Sequence, residues 1–176
     1  MSSVQAHLKF VNTTAIVLRS NNFSDSDKIF SLLSCDVGKF SAIAKGVRKI
    51  TSKKAGHLNL GFISKMFLVS GKNMHIITQA ETMLTPPENN LAFSLEIFEC
   101  LEVLNKLSRE DLNSKILFPI YESFLIKSIS LDDFYRKALR VSGFWQNRLE
   151  TCLLSELRDY FENIVESKLS SRSLKI

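Results

Sequence analysis

No aspartate or glutamate occurs between Gly38 and Ala80, although that stretch holds Lys39, Lys45, Arg48, Lys49, Lys53, Lys54, Lys65 and Lys72. Cysteine is scarce as well. Cys35, Cys100 and Cys152 lie far apart, which excludes a paired disulfide framework and a C-x-x-C metal spacing and points to reduced thiols in a cytoplasm. No apolar run approaches the ~20 residues needed to cross a bilayer, and the N-terminus lacks a charged segment followed by an apolar one. The chain is therefore expected to be soluble and not exported. His7, His57 and His75 stand on separate segments without the spacing that puts two imidazoles on one helical face, so no metal site and no cofactor are expected. Neither G-x-x-x-x-G-K-[ST] nor G-x-S-x-G is present, which argues against ATP hydrolysis and against a nucleophile elbow.

What is present is charge of one sign in one half. Residues 1–80 hold eleven Lys or Arg against Asp25, Asp27 and Asp36, a net +8, whereas residues 81–176 hold twelve against fifteen, a net −3. A positive field concentrated in this way implies a polyanionic partner, because each cation near a phosphate releases condensed counterions and adds long-range attraction. Nucleic acid is the first candidate and an anionic membrane the second. Hydrophobic residues make up 45% of the 176 residues and aromatics 10%, ample for a packed core, so disorder is excluded as the main state.

The chain divides near Pro86-Pro87. Before it, short runs of β-branched and aromatic residues are interrupted by Gly38, Gly46, Gly56, Gly61 and Gly71, which is the punctuation of strands. Five are expected: Thr13 to Arg19, Lys28 to Ser34, Lys39 to Lys45, Leu60 to Ser70 and Met74 to Ala80, with turns at Gly38 and at Gly71-Lys72-Asn73. Five short antiparallel strands suit a small closed barrel, and the OB-fold is the best match. After Pro87 the period moves toward 3.6. Leu91, Leu95, Phe98, Leu101, Val103 and Leu104 form an apolar stripe among Glu96, Glu99 and Glu102, followed by expected helices over Ser114 to Ile129, Leu131 to Val141 and Leu149 to Lys168. Gly143 ends the third. In the fourth, Leu153, Leu154, Leu157, Tyr160, Phe161 and Ile164 share a face. The expected class is α+β: an OB-fold domain over residues 1–83 and an all-α domain over residues 84–176.

The loop from Gly46 to Gly56 packs Arg48, Lys49, Lys53 and Lys54 together with the hydroxyls of Thr51 and Ser52, and it could follow a phosphate backbone. Cations position a strand without reading its sequence, so recognition should be weakly sequence-specific and strongly salt-dependent. Phe40, Phe62 and Phe67 lie in the same block; a small barrel needs them for its interior, although bases could stack on them if they faced outward. Lys65 should share a side of its strand with Phe67, and would have to snorkel if Phe67 were buried. Asp25 and Asp27, with Ser24 and Ser26, could suggest acid-base work or a divalent ion, but their oxygens also suit the amides of a turn before Lys28.

Several runs together resemble one family. Ala15-Ile16-Val17-Leu18-Arg19, Phe23-Ser24-Asp25-Ser26-Asp27-Lys28-Ile29, Leu32-Leu33-Ser34, Gly38 through Arg48, and Ile77-Thr78-Gln79-Ala80-Glu81 are similar to the N-terminal domain of RecO, the bacterial recombination mediator. Asp25 stands where the family usually has Glu. Phe134 through Phe144 resembles its helix-then-glycine signature, and Leu157-Arg158-Asp159-Tyr160 through Leu174 its closing helix. Many members carry a four-cysteine zinc module after that glycine; here only Cys152 occupies the region, so the chain is expected to be a compact, complete member without it.

The resemblance implies a non-enzymatic, cytoplasmic and nucleoid-associated DNA repair protein. Such a protein binds single-stranded and double-stranded DNA, anneals complementary strands, and with RecR assists loading of RecA onto DNA coated with single-stranded-DNA-binding protein. Lys39, Lys45, Arg48, Lys49, Lys53 and Lys54 are the expected phosphate contacts, with Arg19 and Lys72 beside them. The family's helical domain receives the acidic C-terminal tail of single-stranded-DNA-binding protein, for which Arg136, Lys137 and Arg140 are the candidates. Two other classes remain open: a basic interaction module for another polyanion, anionic lipid or acidic protein, and a small metal-dependent nuclease resting on Asp25 and Asp27.

Overall fold

The computed structural model describes residues 10–87, 90–109 and 112–173; His7 and Leu174 lie outside them. Strands β1 (Phe10–Asn22), β2 (Lys28–Ser34), β3 (Gly38–Ala44), β4 (Ile63–Ser70) and β5 (His75–Leu84) close a barrel in the order β1-β2-β3-β5-β4. Helices α1 (Leu91–Leu107), α2 (Phe118–Leu125), α3 (Leu131–Val141) and α4 (Leu154–Ile164) follow. The architecture is thus a five-stranded OB-type barrel with a helical half, the expected α+β class. One pairing departs from expectation. β3 and β5 run parallel, with Ala42 beside His75 and Ile43 beside Ile76. An odd number of alternating strands cannot close without one parallel pair, and this is where it falls.

β1 is longer than expected because its two halves pair with different neighbours in the closed sheet. Its first half pairs with β4 from Phe10–Val69 to Ile16–Ile63, and its second half pairs with β2 from Ala15–Ser34 to Asn22–Lys28. A register shift between Val17 and Arg19 lets the strand bend from one to the other. Both of its faces are covered. Ala15 and Val17 join Phe30, Leu32, Ala42, Ala44, Met66, Leu68 and Ile77 inside the barrel. Ile16 and Leu18, with Leu33 and Ile63, face outward into the cluster built by the helices.

The barrel and the helices therefore share one apolar seam, and polar contacts reinforce it. The Tyr121 hydroxyl donates to Gly61 O at 2.8 Å. Gly61 has φ +78°, and a Cβ there would come within 2.9 Å of both Ile97 Cγ2 and the Tyr121 oxygen, so only glycine fits. Lys39 Nζ donates to Asn105 O at 2.7 Å and Ser108 O at 3.2 Å, capping the carbonyl end of α1.

Three helical expectations are revised. Pro119 lacks the N–H that a helix interior needs, so α2 starts at Phe118 behind a 3-10 turn over Leu112–Leu117. It ends before Lys127, whose φ of 59° breaks the helical path. α4 begins only at Leu154, because Leu153 is extended and its N–H donates to Glu156 Oε2 at 2.6 Å. Leu153 consequently stays exposed while Leu157 and Phe161 are buried. On α1 the buried face runs through Phe93, Ile97, Cys100 and Leu104, which leaves Leu91 and Phe98 exposed and turns Glu99 inward. Gly143, with φ +79°, closes α3 as expected, Phe144 N donating to Leu139 O at 2.9 Å.

Glu99 is held by charge and by hydrogen bonds. Arg158 donates through Nε to Oε1 at 2.6 Å and through Nη2 to Oε2 at 2.8 Å, and the Tyr135 hydroxyl donates to Oε1 at 2.6 Å. The bond to Glu99 raises the Arg158 guanidinium further, while burial, then the Glu99 charge, pushes the Tyr135 phenol far up. The Arg158→Leu protein leaves a buried carboxylate without its counterion and should lose about 3 kcal/mol in urea unfolding. Replacing Glu99 and Arg158 together by Leu should cost less than that single change.

Candidate nucleic-acid interface

The chain between β3 and β4 is pinned at two apolar points. Val47 and Leu58 are buried in the barrel interior, so the residues between them form a displayed loop with fixed ends. Within it the backbone folds on itself. Lys49 N donates to Gly46 O at 3.2 Å, Ser52 N to Lys49 O at 2.9 Å and His57 N to Lys54 O at 3.1 Å, the last leading into a 3-10 turn over Ala55–His57. Gly46 takes φ +66°, a region that disfavours side chains, which lets the chain leave β3 sharply. At the far end Thr82 N donates to His57 Nδ1 at 3.3 Å, tying the loop to β5.

A second turn braces the first. Ser24 Oγ accepts from Asp27 N at 3.2 Å and Ser26 N at 3.4 Å, closing the β1–β2 connection. Asp27 Oδ1 then accepts from Gly46 N at 2.8 Å, while Arg48 donates from its backbone N to Ser26 O at 3.0 Å and from Nη1 to Ser24 O at 2.7 Å. The Gly46 amide in particular holds the Asp27 carboxyl below its ordinary value, with smaller help from Ser26, Ser24 and the Lys45 charge against a modest burial cost. Asp27 is therefore occupied as a loop anchor, and Asp25 is exposed beside it. Among the described residues no group of three His, Cys, Asp or Glu could hold a metal ion.

Five of the eight expected DNA contacts gather on the connection between β3 and β4, Lys45 just ahead of Val47 and the other four after it. Lys45, Arg48, Lys49 and Lys53 are exposed together. Lys54 is half-buried, and its Nζ donates to Ile77 O at 2.9 Å and Lys45 O at 3.1 Å, so it braces the loop against β5; burial lowers its pKa. The other three lie elsewhere. Lys39 sits at the opposite end of β3, about 20 Å from Lys45 by strand rise, against α1. Lys72 is exposed on the β4–β5 hairpin, which the parallel register places toward the start of β3. Arg19 lines a groove with Phe98, Glu102 and Lys106 at the seam.

The structure adds residues that charge counting did not select. Lys28 and Asn22, which pair across β1 and β2, line a cleft of about 420 Å³ with Arg48 and Asn59. Lys28 was visible as a cation, but only the register, Lys28 opposite Ala44, puts it next to Lys45. Thr51 is exposed, whereas Ser52 turns its hydroxyl inward. Phe40, Phe62 and Phe67 are each half-buried. Phe67 lies on the outer face of β4 with exposed Lys65, because Met66 and Leu68 take the interior, so Lys65 has no need to snorkel.

On the helical half, Arg136 pairs with Asp132 and donates to Cys152 O at 3.0 Å. Arg140 pairs with Glu150 and lies 4.2 Å from the Trp145 ring centroid. Lys137 is exposed one turn before Val141, which lines a groove of about 560 Å³ with Arg109, Ile116, Phe144 and Ile164. Among the described residues no helix is long and apolar enough to cross a membrane.

Residues 8–85 match the family described as Recombination protein O N terminal. The barrel part of the chain thus matches the N-terminal domain of the RecO family. The chain is similar to the DNA repair protein RecO of Dehalococcoides mccartyi, 36% identical over 115 residues that cover 64% of this chain and 46% of the relative. The RecO of Heliobacterium modesticaldum is 44% identical over 75 residues, 42% of this chain and 27% of that protein. The RecO of a Nocardioides species is 36% identical over 101 residues, 55% and 41% respectively. The matched part thus spans less than half the length of each of these relatives.

Removing the loop anchor gives a direct check on this geometry. The Asp27→Ala protein should be cut faster by trypsin after Arg48, Lys49 and Lys53 than the unaltered chain. Because the folded carboxyl titrates below its ordinary 3.8, the anchor is complete above that value and is lost as pH falls through the lower folded one. The Gly46 amide proton should therefore shift in NMR spectra with a midpoint below 3.8.

Proposed function

We propose that the protein is a DNA repair and recombination mediator that grips the sugar-phosphate chain with one end of its barrel and makes or breaks no bond. The single observation that carries the reading is the gathering of exposed Lys45, Arg48, Lys49 and Lys53 on a loop anchored at both ends, on an OB-type barrel of the RecO N-terminal family. Residues 1–83 would form the DNA-binding unit and residues 84–176 the scaffold and partner surface. Cations set side by side screen the repulsion between two phosphate backbones, so one loop can hold complementary strands while they anneal. In this reading the protein works in the cytoplasm at the nucleoid, with RecR, to load RecA onto DNA coated with single-stranded-DNA-binding protein.

The acidic tail of single-stranded-DNA-binding protein would dock in the groove between Arg109 and Val141, which offers apolar Ile116 and Phe144 with cations at its rim. Of the three arginine and lysine candidates, Lys137 is the one left to serve it, since Arg136 and Arg140 are occupied by carboxylates. Lys137→Glu and Arg109→Glu should each weaken binding of an acidic tail peptide several-fold in fluorescence titration. Equal affinity in both variants would remove the groove from the reading.

For the DNA site, changing Lys45, Arg48, Lys49 and Lys53 together to Glu should abolish oligonucleotide binding at physiological salt with the circular dichroism unchanged. Changing the same four to Ala should lower the slope of log affinity against log salt by about 3 on single-stranded DNA. An unaltered affinity in the Glu variant would overturn the assignment.

A further inference from the structure

Two large apolar side chains stand in water at the cationic end of the barrel. Ile50 is fully exposed and Phe23 is 62% exposed. They sit on loops that are bonded to one another, through Arg48 to Ser24 O and Ser26 O. Single exposed apolar residues are ordinary on a protein surface. Ile50 is set apart by its neighbours, because it lies between Arg48, Lys49 and Lys53 in a loop without an acidic residue. Arg48 reaches across to Ser24 beside Phe23, in a turn where Asp27 is held by the Gly46 amide and Asp25 is exposed. A partner for such a surface must carry closely spaced negative charge and, within reach of it, flat apolar groups. Lipid attachment would need a basic amphipathic helix, and this segment is a series of turns. A nucleic acid strand with accessible bases meets both conditions.

We propose that Phe23 and Ile50 are the base-contacting residues of this site, the cations holding phosphates while Phe23 stacks on one base and Ile50 enters between neighbouring ones. The inference rests on the reading that this end of the barrel holds DNA. Bases in a duplex are already stacked and paired, so these contacts favour single strands, whereas the cations serve both forms. The selectivity of the site thus resides in two uncharged residues.

The test uses the full chain with single-stranded and duplex oligonucleotides, some carrying 2-aminopurine, titrated at two salt concentrations. Phe23→Ser and Ile50→Ser should each lose about tenfold in affinity for single strands, with duplex affinity and the salt slope unchanged. The change in 2-aminopurine emission on binding should shrink in both. Phe23→Trp, which keeps a stacking face, should retain single-strand affinity. Single-strand affinity and emission equal to those of the unaltered chain, or a loss shared equally by duplex DNA, would sink the base contacts. The variant with Glu at Lys45, Arg48, Lys49 and Lys53 separates the two claims. If it loses DNA while the Ser variants do not, only the base contacts fail; if it binds normally, the DNA site itself is misplaced.

Discussion

Four exposed cations held side by side repel one another at separations shorter than the ~8 Å screening length of physiological salt, so a loop that displays them needs an opposing constraint. Here it is burial. Val47 and Leu58 sink into the barrel interior on either side of Arg48, Lys49 and Lys53, and Asp27 fastens the Gly46 amide, next to Lys45, to the preceding turn. With those points fixed, the backbone that carries the four cations is held to the barrel end. The site thus follows from the hydrophobic interior of the barrel as much as from its lysines.

The same interior explains why the helical half belongs to the architecture of the site. β1 contributes Ala15 and Val17 to the barrel and Ile16 and Leu18 to the helical cluster, so one strand is the wall of two cores. Tyr121 reaches Gly61 just ahead of β4, and Lys39 closes the end of α1 from β3. An acidic half and a basic half are in this way held together on a common seam. That arrangement suits a protein proposed to bring DNA and proteins together.

Much of the fold was legible along the chain. Strand positions β2 and β3 and the helix α3 follow from local alternation, periodicity and the glycines at 38 and 143, all of which act over a few residues. The helical half was harder to read. Pro119 marked the true start of α2, yet the apolar period ran on across it, and the burial of Glu99 depended on Arg158, fifty-nine residues away. Nothing local to Glu99 distinguishes it from Glu96 or Glu102 as a residue that faces the interior.

The sequence by itself determined that the net positive balance is confined to one half, that this half is made of strands, and that a single loop carries the densest run of cations. Those properties are linear, set by composition and spacing. Tertiary structure decided which cations act together, because a lysine's role depends on the carbonyls that distant segments bring to it. Lys54 is drawn to Ile77 and Lys39 to Asn105, while Lys28 is carried to the loop by the register of β2 with β3. Only folding could show that Phe23 and Ile50 stay in water, since an apolar residue's burial is settled by the space left for it and not by its own preference.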